Sequence, residues 1–165
     1  MTKTAFATVG TTQFAALVDV LLSAEVLAAL CAQGYGRLLL QLGHGPEPRI
    51  PDSAPLTVEW YRFKPSLEAD MRDAALVVSH AGAGSILEGM RLNKLMLVVV
   101  NDALMHNHQQ ELAQELHARK HLLATTPREL LATLRLLGDA PPKLVPLPPA
   151  DTALFSNFLS ETLGL

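Results

Sequence analysis

A chain of 165 residues with 49% hydrophobic side chains and a net charge of −3 is the size of one domain and has enough apolar material for a substantial core. Its lysines and arginines are not clustered, which excludes the basic footprint of a nucleic-acid or anionic-membrane binder. A single cysteine, Cys31, and no aliphatic run longer than residues 95–100 leave neither a disulfide scaffold nor a bilayer span, and no cleavable apolar leader is evident, so a soluble protein of a reducing, intracellular compartment is expected.

Residues 4–9 read as an apolar strand ending at Gly10-Thr11-Thr12, after which Phe14, Leu17, Val18, Leu21 and Leu22 recur at helical spacing. Ser23 is placed to cap a second helix reaching Ala32, Gly34 to end it, and Cys31 to pack in the core. Residues 37–42 form a second strand, 43–55 a loop rich in proline and glycine, and 56–61 a third strand. A short helix over 67–74, a strand over 75–79, a helix over 85–92 and a strand over 96–100 follow. The pattern continues with a helix over 107–119, a short strand over 122–124 and a helix over 128–137 started near Thr126-Pro127. Such regular alternation predicts an α/β fold, a parallel sheet with helices on both faces.

Beyond a domain spanning residues 1–140, the prolines at 141, 142, 146, 148 and 149 predict an extended linker over 141–150. Asp151 then caps a last helix, 151–165, with Leu154, Phe155, Phe158, Leu159 and Leu163 on one side. That stripe must be buried either on the chain's own sheet or on another chain.

The chemistry concentrates at His80-Ala81-Gly82-Ala83-Gly84-Ser85, with Glu88 three residues on. This segment leaves an apolar strand, turns on glycines and enters a helix, offering free backbone N–H groups to an anion that Gly82 and Gly84 let approach closely. Glu88, one turn in, is placed to accept from sugar hydroxyls, and the reading is a nucleotide-diphosphate pocket. Ser85 and Glu88 also fit a capping box, in which both side chains would serve the helix end instead. His80 can donate to a phosphate or simply shape the turn. In an open parallel sheet ligands bind beyond the carboxyl ends of the strands. Gly10, Thr11 and Thr12 occupy that edge, as phosphate contacts or as an ordinary helix start with Thr12 as the cap, and residues 101–109 occupy it after the fifth strand.

Competing sites fail on spacing. Leu87 stands where a dinucleotide fingerprint has its third glycine, and the second strand ends Leu40-Gln41-Leu42 without an acidic residue for an adenosine ribose. His106, His108, His117 and His121 lack the spacing of a metal site, and Met90, Leu92, Met96 and Leu116 read as core.

These motifs resemble the UDP-sugar-binding half of the MurG-like GT-B glycosyltransferases, and most nearly the small catalytic subunits of eukaryotic UDP-N-acetylglucosamine transferases that make chitobiosyl-diphosphodolichol. The likeness is carried by His80 to Ser85, Glu88 and residues 105–109, with Thr8-Val9-Gly10-Thr11-Thr12-Gln13-Phe14, Gly34-Tyr35 and Tyr61-Arg62-Phe63-Lys64-Pro65-Ser66-Leu67. It implies a Rossmann-like fold, the C-terminal, donor-binding half of a GT-B enzyme. It further implies that His80, Gly82, Ala83, Gly84 and Ser85 meet the diphosphate of UDP-GlcNAc, with Gly10, Thr11 and Thr12 opposite. Glu88 would hold the ribose, and Asn107, His108 and Gln109 would lie at the sugar. One departure is Asn93-Lys94-Leu95, where relatives commonly carry Gly-Lys-Pro, expected to keep the strand but lose a rigid turn.

The resemblance implies an inverting transfer of the second, β1,4-linked N-acetylglucosamine onto GlcNAc-diphosphodolichol, without a metal or other cofactor. One domain's length is present, so the acceptor half would be a membrane-anchored partner subunit forming a heterodimer at the cytosolic face of the endoplasmic reticulum. The general base is unassigned and belongs either here or on that partner. The alternative is a non-catalytic nucleotide-sugar-binding or scaffolding protein of the same fold, which would bind UDP without transfer.

Overall fold

The computed structural model describes residues 2–103 and 108–147 together with Asn157, Ser160 and Glu161. Apart from Asn157, Ser160 and Glu161, which are helical, the expected last helix lies outside the described residues, as does the segment 104–107. In chain order the elements are β1 (Lys3–Thr8), α1 (Ala15–Leu21), α2 (Ala24–Ala32), β2 (Tyr35–Gln41), β3 (Thr57–Tyr61), α3 (Glu68–Asp73), β4 (Leu76–His80), α4 (Ala83–Arg91), β5 (Met96–Val99), α5 (His108–Ala118), β6 (Leu123–Thr125) and α6 (Leu130–Asp139). The strands pair in parallel as one six-stranded sheet, ordered β3-β2-β1-β4-β5-β6. The order reverses between β1 and β4, where Thr8 lies level with both Gln41 and Ser79.

Side chains alternate across each strand, so the apolar runs of β1, β2, β4 and β5 fill two cores. Ala5, Ala7, Leu38, Leu40, Val78 and Val99 face one side, covered by Leu17 and Leu21 of α1, Val26, Leu27 and Leu30 of α2, and Leu130 and Leu134 of α6. Phe6, Leu39, Val77, Met96 and Val98 face the other, covered by Met71 of α3, Ile86 and Met90 of α4, and Leu112 and Leu116 of α5. Among the described residues no single helix is long and apolar enough to cross a membrane. The α1 and α2 pair together reach that length but are bent by 58° and are core helices here.

Two local expectations are corrected. Cys31 is exposed, because α2 buries a narrow stripe ending at Leu30 and leaves the thiol on the rim near the Pro55 carbonyl. The turn before β5 is not lost either. Asn93 adopts φ 52°, Lys94 N–H reaches the Gly89 carbonyl at 3.0 Å and Asn93 N–H reaches that of Met90 at 3.0 Å, a Schellman closure that asparagine supports because it tolerates the left-handed region. The Lys94 ammonium also bonds the Ala74 carbonyl at 3.0 Å, tying this turn to the end of α3. Asn93→Gly is expected to be at least as stable as wild type and Asn93→Val less stable by about 1–2 kcal/mol, as read by urea denaturation.

After α6, residues 141–147 carry no helix or strand but are held to the domain. Val145 N–H donates to the Lys120 carbonyl at 2.8 Å, His121 Nδ1 donates to the Val145 carbonyl at 2.8 Å, and Leu147 packs on the α5 side of the sheet.

Candidate functional site

The crevice at the reversal of strand order lies between the loop leaving β1 and the loop leaving β4, whose helices α1 and α4 pack on opposite faces. Helix α4 begins earlier than its sequence suggests. Gly82 is the N-cap, and the first intrahelical bond runs from Ile86 N–H to the Gly82 carbonyl at 3.1 Å. The N–H groups of Ala83, Gly84 and Ser85 therefore have no intrahelical acceptor, and no side chain caps them. A Cβ placed on Gly84 would meet nothing within 4 Å, so this end stands open.

This geometry removes the capping-box alternative: Ser85 is the third residue inside the helix, not the residue before it. Glu88 is half-buried and has no side-chain hydrogen bond or ion pair among the described residues. Its carboxylate is free to face the crevice.

His80 closes the crevice floor. A Cβ on Gly82 would lie 2.2 Å from His80 Nε2, and one on Gly10 would lie 2.7 Å from His80 Cε1, so the imidazole is wedged between two loops that only glycine lets come so near. Burial lowers the His80 pKa below its ordinary value, opposed by the Thr8 backbone, and the buried Nδ1 has no hydrogen-bond partner. The ring is therefore neutral near pH 7. The unfolded chain takes up this proton near pH 6.5 and the folded one only at lower pH, so the associated stability is intact above about 6.5 and is lost as pH falls through the folded-state pKa. Urea denaturation at pH 7.5 and 5.5 should show wild type losing more stability on acidification than His80→Gln.

On the β1 side, Gly10 turns the chain at φ +65° and Thr11 and Thr12 are exposed. Thr12 is not the cap expected from sequence. Its hydroxyl donates to the Val9 carbonyl at 3.1 Å, while α1 starts after Phe14 with no side-chain cap. The loop is fixed from beneath by buried Gln41 at the end of β2, a residue that the sequence marks only by its not being acidic. The neighbouring loops join the same assembly. His44 N–H donates to the Thr12 carbonyl at 3.0 Å, Gly43 N–H to that of Arg62 at 3.2 Å, and Arg62 Nη1 to that of Gly45 at 2.5 Å. Gly43, at φ +56°, lies so close that a Cβ there would be 2.3 Å from the Thr12 carbonyl oxygen.

The Tyr61-to-Leu67 segment anchors the β3 end. Tyr61 donates to Asp70 Oδ2 at 2.5 Å, and Lys64 bonds the same carboxylate at 2.8 Å. Burial and the Asp70 carboxylate push the Tyr61 hydroxyl far up, while Asp70, whose burial acts in the opposite sense, is held low by Lys64 and Tyr61.

His108 and Gln109 open α5, the helix that follows β5, the strand paired with β4, and both are exposed. His108 lies 3.8 Å from Glu111, and Asn107 lies outside the described residues. Among the described residues no group of three or more His, Cys, Asp or Glu could hold a metal. His117 and His121 instead bond the Ala124 N–H and the Val145 carbonyl. A concavity of about 810 Å³ opens at the opposite edge of the sheet, beside Lys3, Gln33 and Tyr35, away from all of these groups.

Residues 4–159 match the glycosyltransferase family 28 C-terminal domain. The chain belongs to that family. Among relatives of this family 28 domain, the UDP-N-acetylglucosamine transferase subunit ALG13 of Saccharomyces cerevisiae is 32% identical, over 98% of this chain and 96% of the relative. ALG13 of Yarrowia lipolytica is 31% identical over 94% of this chain and 81% of the relative. Human ALG13 is 46% identical over 78% of this chain, but the match takes in only 11% of the human protein, so the chain spans about a tenth of that relative. A solution NMR structure of ALG13 superposes with a TM-score of 0.72 at 30% identity, covering 99% of this chain and 98% of that one. Acinetobacter baumannii MurG, with a TM-score of 0.61 and 16% identity over 99% of this chain and 44% of MurG, shares the fold. The family 28 domain is thus a Rossmann-like GT-B C-terminal domain, and its relatives are glycosyltransferase subunits.

Proposed function

We propose that this chain is the donor-binding catalytic subunit of a UDP-GlcNAc transferase that adds the second, β1,4-linked N-acetylglucosamine to GlcNAc-diphosphodolichol in protein N-glycosylation. The observation that supports it most is the open N-terminus of α4, with unpartnered Glu88 one turn behind it, in a chain matching a yeast UDP-N-acetylglucosamine transferase subunit along nearly its whole length. In this reading the diphosphate of UDP-GlcNAc sits on the N–H groups of Ala83, Gly84 and Ser85, faced by Thr11 and Thr12, and Glu88 accepts from the ribose hydroxyls. Asn107, His108 and Gln109 lie toward the sugar.

The acceptor 4-hydroxyl attacks the anomeric carbon from the side opposite the leaving UDP, the glycosidic C–O bond to phosphate breaks, and the configuration inverts. Negative charge grows on the diphosphate, where the positive end of α4 and its free N–H groups stabilise it. The base that takes the hydroxyl proton faces the acceptor, on this chain or on the partner. That partner is a membrane-anchored acceptor-domain subunit, which recruits this chain to the cytosolic face of the endoplasmic reticulum. Residues 151–165, beyond the proline-rich 141–150, are the docking element.

Co-expression with a candidate membrane subunit and assay of transfer from UDP-GlcNAc to a GlcNAc-diphospholipid tests this reading. Transfer by the pair and none by either alone is expected. UDP binding without transfer in the assembled pair would favour the scaffolding alternative, and full co-purification of a chain lacking 151–165 would remove the docking role.

A further inference from the structure

We propose that Gln41 is the positioning residue of this site: its amide sets the Gly10 peptide so that the N–H groups of Thr11 and Thr12, not that of Gly10, face the diphosphate. The inference rests on the nucleotide-sugar reading and deepens it.

Gln41 ends β2 at 3% exposure, so its amide is cut off from water and must find its partners within the protein. A primary amide can donate twice and accept twice, and here all four positions are engaged. Oε1 accepts from the Thr8 hydroxyl at 2.5 Å and from Gly10 N–H at 3.0 Å, while Nε2 donates to the Gly10 carbonyl at 2.8 Å and to the Arg62 carbonyl at 2.7 Å. One side chain thus holds both main-chain groups of Gly10, as a paired strand would, at the residue where β1 has ended and φ turns positive.

Two consequences follow. The Gly10 N–H also lies 3.1 Å from the Thr8 hydroxyl, so it is committed inward and is unavailable to an anion, which narrows the expected diphosphate contacts on this side to Thr11 and Thr12. The Arg62 bond couples the loop after β1 to the loop after β3, and Arg62 in turn holds the Gly43 to Gly45 turn, so three loops move as one body. The chemistry also dictates an amide here. A carboxylate would face two carbonyl oxygens at under 3 Å and would set a negative charge beneath a diphosphate.

The test uses the full-length chain, ¹⁵N-labelled, as wild type, Gln41→Met and Thr8→Val, with UDP as the probe. Wild type is expected to show a protected Gly10 amide and to bind UDP. Gln41→Met should expose the Gly10 amide to solvent exchange and raise the UDP Kd by about tenfold or more. The Val9 amide, which donates to the main-chain carbonyl of Gln41, should stay protected, separating a displaced loop from a molten sheet. Should Gln41→Met lose Val9 protection too, Thr8→Val decides, with faster Gly10 exchange and a UDP Kd raised roughly threefold expected from removing only the hydroxyl. Unchanged UDP affinity in a folded variant with an exposed Gly10 amide would overturn the positioning role, as would a Gly10 amide indifferent to both substitutions. A wild-type chain that fails to bind UDP would instead overturn the nucleotide-sugar reading itself.

Discussion

Gly82→Ala should weaken UDP binding by roughly 100-fold and lower stability by about 1–3 kcal/mol, although the backbone there, φ −79° and ψ 126°, accepts any residue. The damage comes from one contact. The new Cβ would lie 2.2 Å from His80 Nε2, and on its other side the ring already lies so near Gly10 that a Cβ there would be 2.7 Å from Cε1, so it has little room to retreat toward β1. Either the imidazole leaves a site built around it or the start of α4 shifts, carrying the N–H groups of Ala83, Gly84 and Ser85 away from the position proposed for the diphosphate. A misplacement of about 1 Å in such a constellation is enough for an effect of that size. A double-mutant cycle with His80→Ala isolates the contact: with the ring gone the added methyl has room, so the double variant should be about 1–2 kcal/mol more stable than the sum of the singles predicts. Additive losses would mean that the ring is not wedged.

The order of elements and the position of the candidate crevice were legible because their signals are local. Apolar runs bounded by glycine and proline mark β1 to β6, and the passage from Val77-Val78 through Gly82 and Gly84 into Ile86 marks the crevice. What escaped depends on contacts between distant segments. Ser85 and Glu88 have capping-box spacing, yet α4 starts two residues earlier because Gly82 takes the cap position, and this is what leaves Glu88 unpartnered. Cys31 follows Leu27 by four residues and so looked buried, but only the neighbours of α2 decide how wide its packed stripe is. The role of Gln41 needs Gly10, 31 positions away, to be brought beside it by parallel pairing of β1 and β2. A lone amide ending a run of leucines was the available signal, because burying one demands partners.

Glu88→Ala should raise the donor KM by roughly 5- to 150-fold in the assembled enzyme while leaving the acceptor KM and the urea midpoint almost unchanged. The binding loss corresponds to about 1–3 kcal/mol, the usual consequence of removing a charged acceptor from a hydrogen-bonded hydroxyl. The stability side of the expectation comes from the structure. A half-buried carboxylate with no described partner contributes nothing that alanine would forfeit, and alanine is the better helix former. A structural Glu88 would give the opposite pattern, a lowered midpoint with donor KM intact. Glu88→Gln sharpens the distinction, since a neutral amide still accepts a hydrogen bond but without the charge that strengthens it, and its donor KM should fall between wild type and alanine. Ribose hydroxyls are the groups this carboxylate would meet, so a donor analogue lacking the 2′-hydroxyl should bind wild type more weakly than UDP does and should distinguish little between Glu88→Ala and wild type.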